Sequence, residues 1–182
     1  MKKLLLILIC LIVFSGVGYA QKYSTRSGKV SFEASVPSFE EVAATNKVVS
    51  VILDTHAGKL AALTLMKGFR FKVALMEEHF NENYVASDTY PKATFKGEIQ
   101  GYDKSKLTDQ SLHWNILGDL TLHGKTKKIE IKDATVYLKN NVVYVKGNFE
   151  VAPADFDIKI PSLVSKKIAD TISVSLDFEL KQ

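Results

Sequence analysis

Ala93-Thr94-Phe95-Lys96-Gly97-Glu98-Ile99-Gln100 and Trp114-Asn115-Ile116-Leu117-Gly118-Asp119-Leu120-Thr121-Leu122-His123 decide the fold, because in both an apolar residue or a glycine recurs at every second position. A period of two belongs to a β-strand with one buried and one wet face. The same period continues outward in both directions. Ile129 and Ile131 alternate with Lys128, Glu130 and Lys132, and after a turn at Asn140-Asn141 come Val143, Val145, Gly147, Phe149 and Val151. Ile172, Val174, Leu176, Phe178 and Leu180 then oppose Ser173, Ser175, Asp177, Glu179 and Lys181. Towards the N-terminus Val30, Phe32 and Ala34 alternate with Ser31, Glu33 and Ser35. Val49, Val51 and Leu53 repeat the pattern less cleanly, and residues 59–66 are apolar on both faces apart from Lys59 and Thr64.

With a segment near residues 22–26, these runs predict an all-β fold of about eight antiparallel strands, mostly in hairpin order. Closure into a barrel removes the exposed edges of such a sheet, and eight strands can enclose one ligand. Gly97, Gly118 and Gly147 stand on the apolar face, where a glycine marks a bend, a bulge or close approach. They serve either to let a small barrel curve or to clear room for a ligand. One segment breaks the period. Val73, Met76, Phe80 and Tyr84 recur at spacings of three and four, which predicts a short amphipathic helix between strands, capping one end of the barrel.

The extreme N-terminus predicts the compartment. Lys2-Lys3, the apolar run from residue 4 to 13 and the small-residue site Gly18-Tyr19-Ala20 have the form of a signal peptide, residues 1–20, removed to leave one domain over residues 21–182. The run is too short to span a bilayer of roughly 30 Å, and no integral membrane segment is expected. Cys10, the only cysteine, leaves with it, so the mature chain offers no thiol chemistry to an oxidising compartment such as the periplasm. Loss of Lys2 and Lys3 lowers the net charge from +4 to +2, too small a basic excess for a nucleic-acid partner. The hydrophobic fraction of 46% is ample for a core.

Three motifs carry a resemblance. Tyr90-Pro91-Lys92-Ala93-Thr94-Phe95-Lys96 opens a strand after the helix, Leu120-Thr121-Leu122-His123-Gly124-Lys125-Thr126-Lys127 closes one in a turn, and Asp155-Phe156-Asp157-Ile158 follows near the C-terminus. In that order the chain resembles the YceI-like family. Its Arg-Ser-Asp-Phe-Gly-Ile loop is matched only in part, since this chain lacks the Arg and the Gly. The resemblance implies a lipocalin-like barrel in a periplasmic or secreted protein, holding a polyisoprenoid or other long isoprenoid or acyl lipid in an apolar cavity. On that reading the tail site draws on the inward candidates Phe32, Phe95, Trp114, Ile116, Leu120, Val145, Phe149, Val174, Leu176 and Phe178, with Phe69, Phe71, Met76 and Phe80 as a cap.

The chain predicts no enzyme, metal or cofactor. His56, His79, His113 and His123 are scattered without metal-ligand spacing, and His79 and His123 fit structural hydrogen bonding better. No nucleophile elbow, P-loop or dinucleotide fingerprint is present. Two other readings compete. A membrane barrel would turn the apolar face outward, with aromatic girdles at both interfaces, whereas Phe95, Trp114, Phe149 and Phe178 sit mid-strand. A filled barrel without ligand would make an interaction module. A homodimer through apolar rim residues such as Phe39 or Leu163 is also open.

Overall fold

The computed structural model describes residues 21–37 and 39–182; the expected signal peptide lies outside the described residues. Among the described residues nine strands form: β1 (Lys22–Ser35), β2 (Ala43–Asp54), β3 (Lys59–Leu65), β4 (Arg70–Phe71), β5 (Lys92–Ile99), β6 (Leu112–Leu122), β7 (Lys125–Lys139), β8 (Val142–Val151) and β9 (Ile168–Lys181). Eight of them run β1-β9-β8-β7-β6-β5-β3-β2, and β1 also pairs with β2, so the sheet is a closed antiparallel barrel. The two-residue β4 lies outside that ring and pairs with Ala44 and Thr45 of β2. The turns at His123-Gly124 and Asn140-Asn141 each hold two successive residues at positive φ, the conformation that matches strand twist in tight hairpins.

The alternating faces point as the period requires. Val49, Val51, Leu53, Ile116, Val143 and Val145 are at most 1% exposed and face inward, whereas Lys128, Glu130, Lys132 and Glu179 face outward. An apolar interior under a largely polar exterior is the reverse of a lipid-facing barrel.

The period breaks at three places, each an irregularity in the ladder. In β1 it shifts around Gly28, so the two N-terminal runs of the sequence form one strand of 14 residues. In β2 the inward phase passes from Ala44 and Asn46 to Val49. Asn46, fully buried, stitches that break: its Nδ2 donates to Leu65 O at 2.9 Å and its Oδ1 accepts from Val48 N at 2.9 Å. In β7 an extra residue at Asp133, with φ of 55°, moves the inward set from Ile129 and Ile131 to Ala134 and Val136. Asn115 Oδ1 accepts the displaced Asp133 N–H at 3.1 Å. Such bulges bend a strand and let a small barrel close.

The helical segment is α1 (Ala74–His79), continued without a break by a π-turn over Phe80–Tyr84. A second single-turn helix, α2 (Ser162–Ser165), precedes β9. Both lie at the same end of the barrel. The interior packs as two clusters. One, around Leu53, Ile116, Val136, Val145 and Leu180, fills the end nearest Tyr102 and Trp114. The other, around Met66, Phe69, Val85 and Phe156, lies under α1.

Candidate functional site

The two clusters do not meet as one solid core. Between the second cluster and the middle of the barrel lies an apolar cavity of about 360 Å³. That is at the small end of the range for ligand pockets, roughly 300–1,000 Å³.

Its roof is built by α1 and the strand ends beneath it. Phe32, Phe69, Phe71 and Phe80 form a ring-to-ring cluster with centroids 5.2–5.7 Å apart. Met76 and Phe80 fall on the inward side because they are four residues apart on one turn of helix. Arg70 and Glu77 hold this roof down: Arg70 Nη1 donates to Glu77 Oε1 at 2.8 Å, and Phe71 N donates to Glu77 Oε2 at 3.2 Å. Lys72 pairs with Glu41, tying the start of the helical segment to the β1–β2 loop, and that contact raises the Lys72 pKa.

Leu120, Phe149 and Val174 form the wall, and Phe95, Leu176 and Phe178 stand at the floor. Eleven of the fourteen sequence candidates therefore border the cavity. The other three do not. Ile116 and Val145 are fully buried in the filled half, and Trp114 packs beside Tyr102 at its far end, with ring centroids 5.8 Å apart. Alternation places the ten strand candidates on the inner face but carries no information about depth along the barrel axis.

Sequence reasoning missed part of the lining. Ile160 and Val164 reach the cavity from the segment before β9, where no period exists to reveal them, and Ile168 reaches it from the first position of β9. Lys167 borders the mouth beside them and is exposed. His79 also lines the cavity, at the end of α1.

The strand glycines do not clear room for a ligand. A Cβ on Gly97 or Gly118 would come within 2.7 or 2.6 Å of Phe95 Cζ; one on Gly28 would meet Phe178 Cδ1 at 2.9 Å, and one on Gly147 would meet Ile131 Cγ2 at 2.7 Å. Each glycine is the seat of an inward side chain. The space they clear is occupied by the protein itself.

The three sequence motifs converge at one corner of the mouth. The Tyr90 ring packs on His123 with centroids 4.4 Å apart, and His123 Nδ1 lies 2.9 Å from Phe156 O. Lys125 reaches Asp157 at 2.8 Å, and Lys127 stands 3.7 Å from Asp155. This clasp pins Phe156, 1% exposed, into the cavity wall. Asp157 adopts φ of 55° at the position where the resembled loop carries glycine, and Asp is among the few residues that enter that region readily. Its carboxyl is held below the ordinary range by Lys125.

The groups with displaced pKa values, Asp54, Lys72, Tyr102, Asp103, Lys125 and Asp157, all lie outside the cavity lining. Among the described residues no cluster of three metal-ligating side chains occurs, and no helix is long and apolar enough to cross a membrane. Phe39 and Leu163 are exposed, 47% and 89%, on the β1–β2 loop and on α2.

The family model described as the YceI-like domain matches residues 19–180. Among solved structures the chain is similar to a polyisoprenoid-binding domain from Saccharophagus degradans implicated in plant cell wall breakdown. The two are 16% identical, with 88% of this chain and 97% of that one covered and a TM-score of 0.74. It is also similar to BcnA of Burkholderia cenocepacia, at 18% identity, with 85% and 96% covered and a TM-score of 0.69. The YCEI protein of Campylobacter jejuni gives 16% identity, 94% and 95% coverage and a TM-score of 0.62. No curated protein matches the chain in sequence.

Proposed function

Because the chain belongs to the YceI-like family, we propose that it is a carrier of a polyisoprenoid or other long-chain amphiphile, held in the open half of the barrel, and not an enzyme. The observation that carries this reading is the composition of the cavity wall. Phenylalanine, methionine and aliphatic side chains make nearly all of it, and the one ammonium, Lys167, stands at the mouth. An apolar tail gains about 25 cal/mol per Å² of surface removed from water and needs no reactive partner. The similarity to a polyisoprenoid-binding domain supports an isoprenoid tail. The charged n-region and the small-residue site ending at Ala20 support a periplasmic or secreted carrier, with residues 1–20 removed.

Native mass spectrometry of the protein, expressed with its N-terminal segment and purified without detergent, tests this directly. The expected result is a chain starting near Gln21 with one equivalent of an extractable lipid. Lipid at one hundred times its dissociation constant then stabilises the fold by about 2.7 kcal/mol in thermal melts. A lipid-free mass that stays unchanged after incubation with isoprenoid and acyl amphiphiles overturns the proposal.

A further inference from the structure

Resting on the carrier reading, we propose that Phe95 and Phe178 form a fixed floor that sets the length of the bound tail, limiting it to about the depth of one bilayer leaflet. Both side chains border the cavity and both belong to the packed core of the closed half. Phe95 is 9% exposed and Phe178 2%, so neither swings freely. Their rings lie on glycines. Gly97 and Gly118 are directly paired across β5 and β6, and both meet the tip of the Phe95 ring; Gly28 of β1 meets Phe178. Gly97 lies two residues beyond Phe95 in the direction away from the mouth, so the Phe95 ring points towards the closed end, folded down over the two glycines. Beneath it the barrel is filled by Ile99 and Ile116, 4% and 0% exposed.

The depth follows from the strand. Leu176 at the floor and Ile168 at the mouth are eight residues apart on β9. At about 3.3 Å per residue and a tilt of about 40°, that is roughly 20 Å along the axis. One leaflet of a hydrocarbon core of about 30 Å is roughly 15 Å deep. A tail of leaflet length therefore fits under the roof, and a polyprenyl chain several times longer leaves most of its units in water.

A competition experiment reads this out. Lipid-free protein is presented with equimolar farnesyl, geranylgeranyl, octaprenyl and undecaprenyl monophosphate, and the retained species are counted by native mass spectrometry. The expected preference is for the geranylgeranyl compound over the octaprenyl by about tenfold or more. Phe95→Ala opens the space above Gly97 and Gly118 and shifts retention to the longer chains. Ala93→Phe, which adds a ring to the open cavity two residues nearer the mouth, shifts it to farnesyl and keeps the inference testable if Phe95→Ala does not fold. Retention of all lengths alike, or an unchanged distribution in folded variants, overturns the floor while leaving the carrier intact. Retention of none overturns the floor, and if acyl amphiphiles presented in the same way are not retained either, it overturns the carrier reading as well.

Discussion

The two halves of this barrel are made by the same strands and the same alternation, yet they differ in what the inward residues are. The closed half is lined by β-branched and aliphatic side chains such as Val49, Val51, Ile116, Val136 and Val143, which are 0–1% exposed and fill the bore. The open half substitutes Phe32, Phe71, Phe80 and Phe149, only partly buried, around a space that no side chain occupies. A barrel of eight strands is just wide enough either to be filled or to hold one ligand. This chain does each in turn along one axis.

The contrast can be broken most forcefully by paired truncations. Ile116→Ala, in the filled half, is expected to cost about 2–5 kcal/mol, through lost transfer energy and a new void. Ile172→Ala, on the cavity wall, is expected to cost less than half as much, because one side of that residue already faces empty space. Urea midpoints at unchanged slope measure both; equal losses would mean that the open half is as tightly packed as the closed one. A smaller effect distinguishes the glycines. A Cβ on Gly118 meets backbone, Gly97 Cα and Lys96 O, each at 2.5 Å, so Gly118→Ala must force strands apart and is expected to cost about 1–3 kcal/mol. Gly147→Ala meets a movable methyl of Ile131, which borders the cavity and can yield, so its midpoint should shift less. The reverse order would mean that the floor is rigid at Ile131 as well.

The weakest lever is pH, which at the closed end acts through Tyr102. Tyr102 donates to Thr55 O at 2.8 Å beside Trp114, and burial pushes its pKa from 10.0 up to about 12. Between those values the unfolded chain ionises while the folded chain keeps its proton. The contribution is therefore complete below pH 10.0 and is lost as pH rises towards about 12. Denaturant midpoints should fall across that window in the native protein and stay flatter in Tyr102→Phe. Parallel curves would remove Tyr102 from the account.

These halves also show where a sequence stops being legible. Strand existence, hairpin order and the inward face follow from period two, and the helix from the spacing of Met76, Phe80 and Tyr84. What alternation conceals is position along the axis: Ile116 in the filled half and Leu120 on the cavity wall share one strand and one phase. Bulges conceal more. The one-residue shift at Asp133 reverses the pattern, so Ala134 and Val136 could not be recognised as the continuation of Ile129 and Ile131. Ile160 lies in irregular chain and Val164 in the single turn of α2, where inward direction is decided by packing against β9 and the roof. A glycine on an apolar strand face marks a bend, a bulge or close approach, but which group approaches is a tertiary fact.

The seam at which the barrel closes has a kinetic meaning. β1 pairs with its hairpin neighbour β2 on one side and with β9 on the other, joining Val30 to Leu176 across nearly the whole domain. Contacts of such long sequence separation form slowly. Until β9 docks, both β1 and β8 present bare strand edges of the kind that template aggregation. A chain shortened before Ile168 would keep its hairpins and lose its closure, so the most hazardous species of this protein is the nearly complete barrel still missing its last strand.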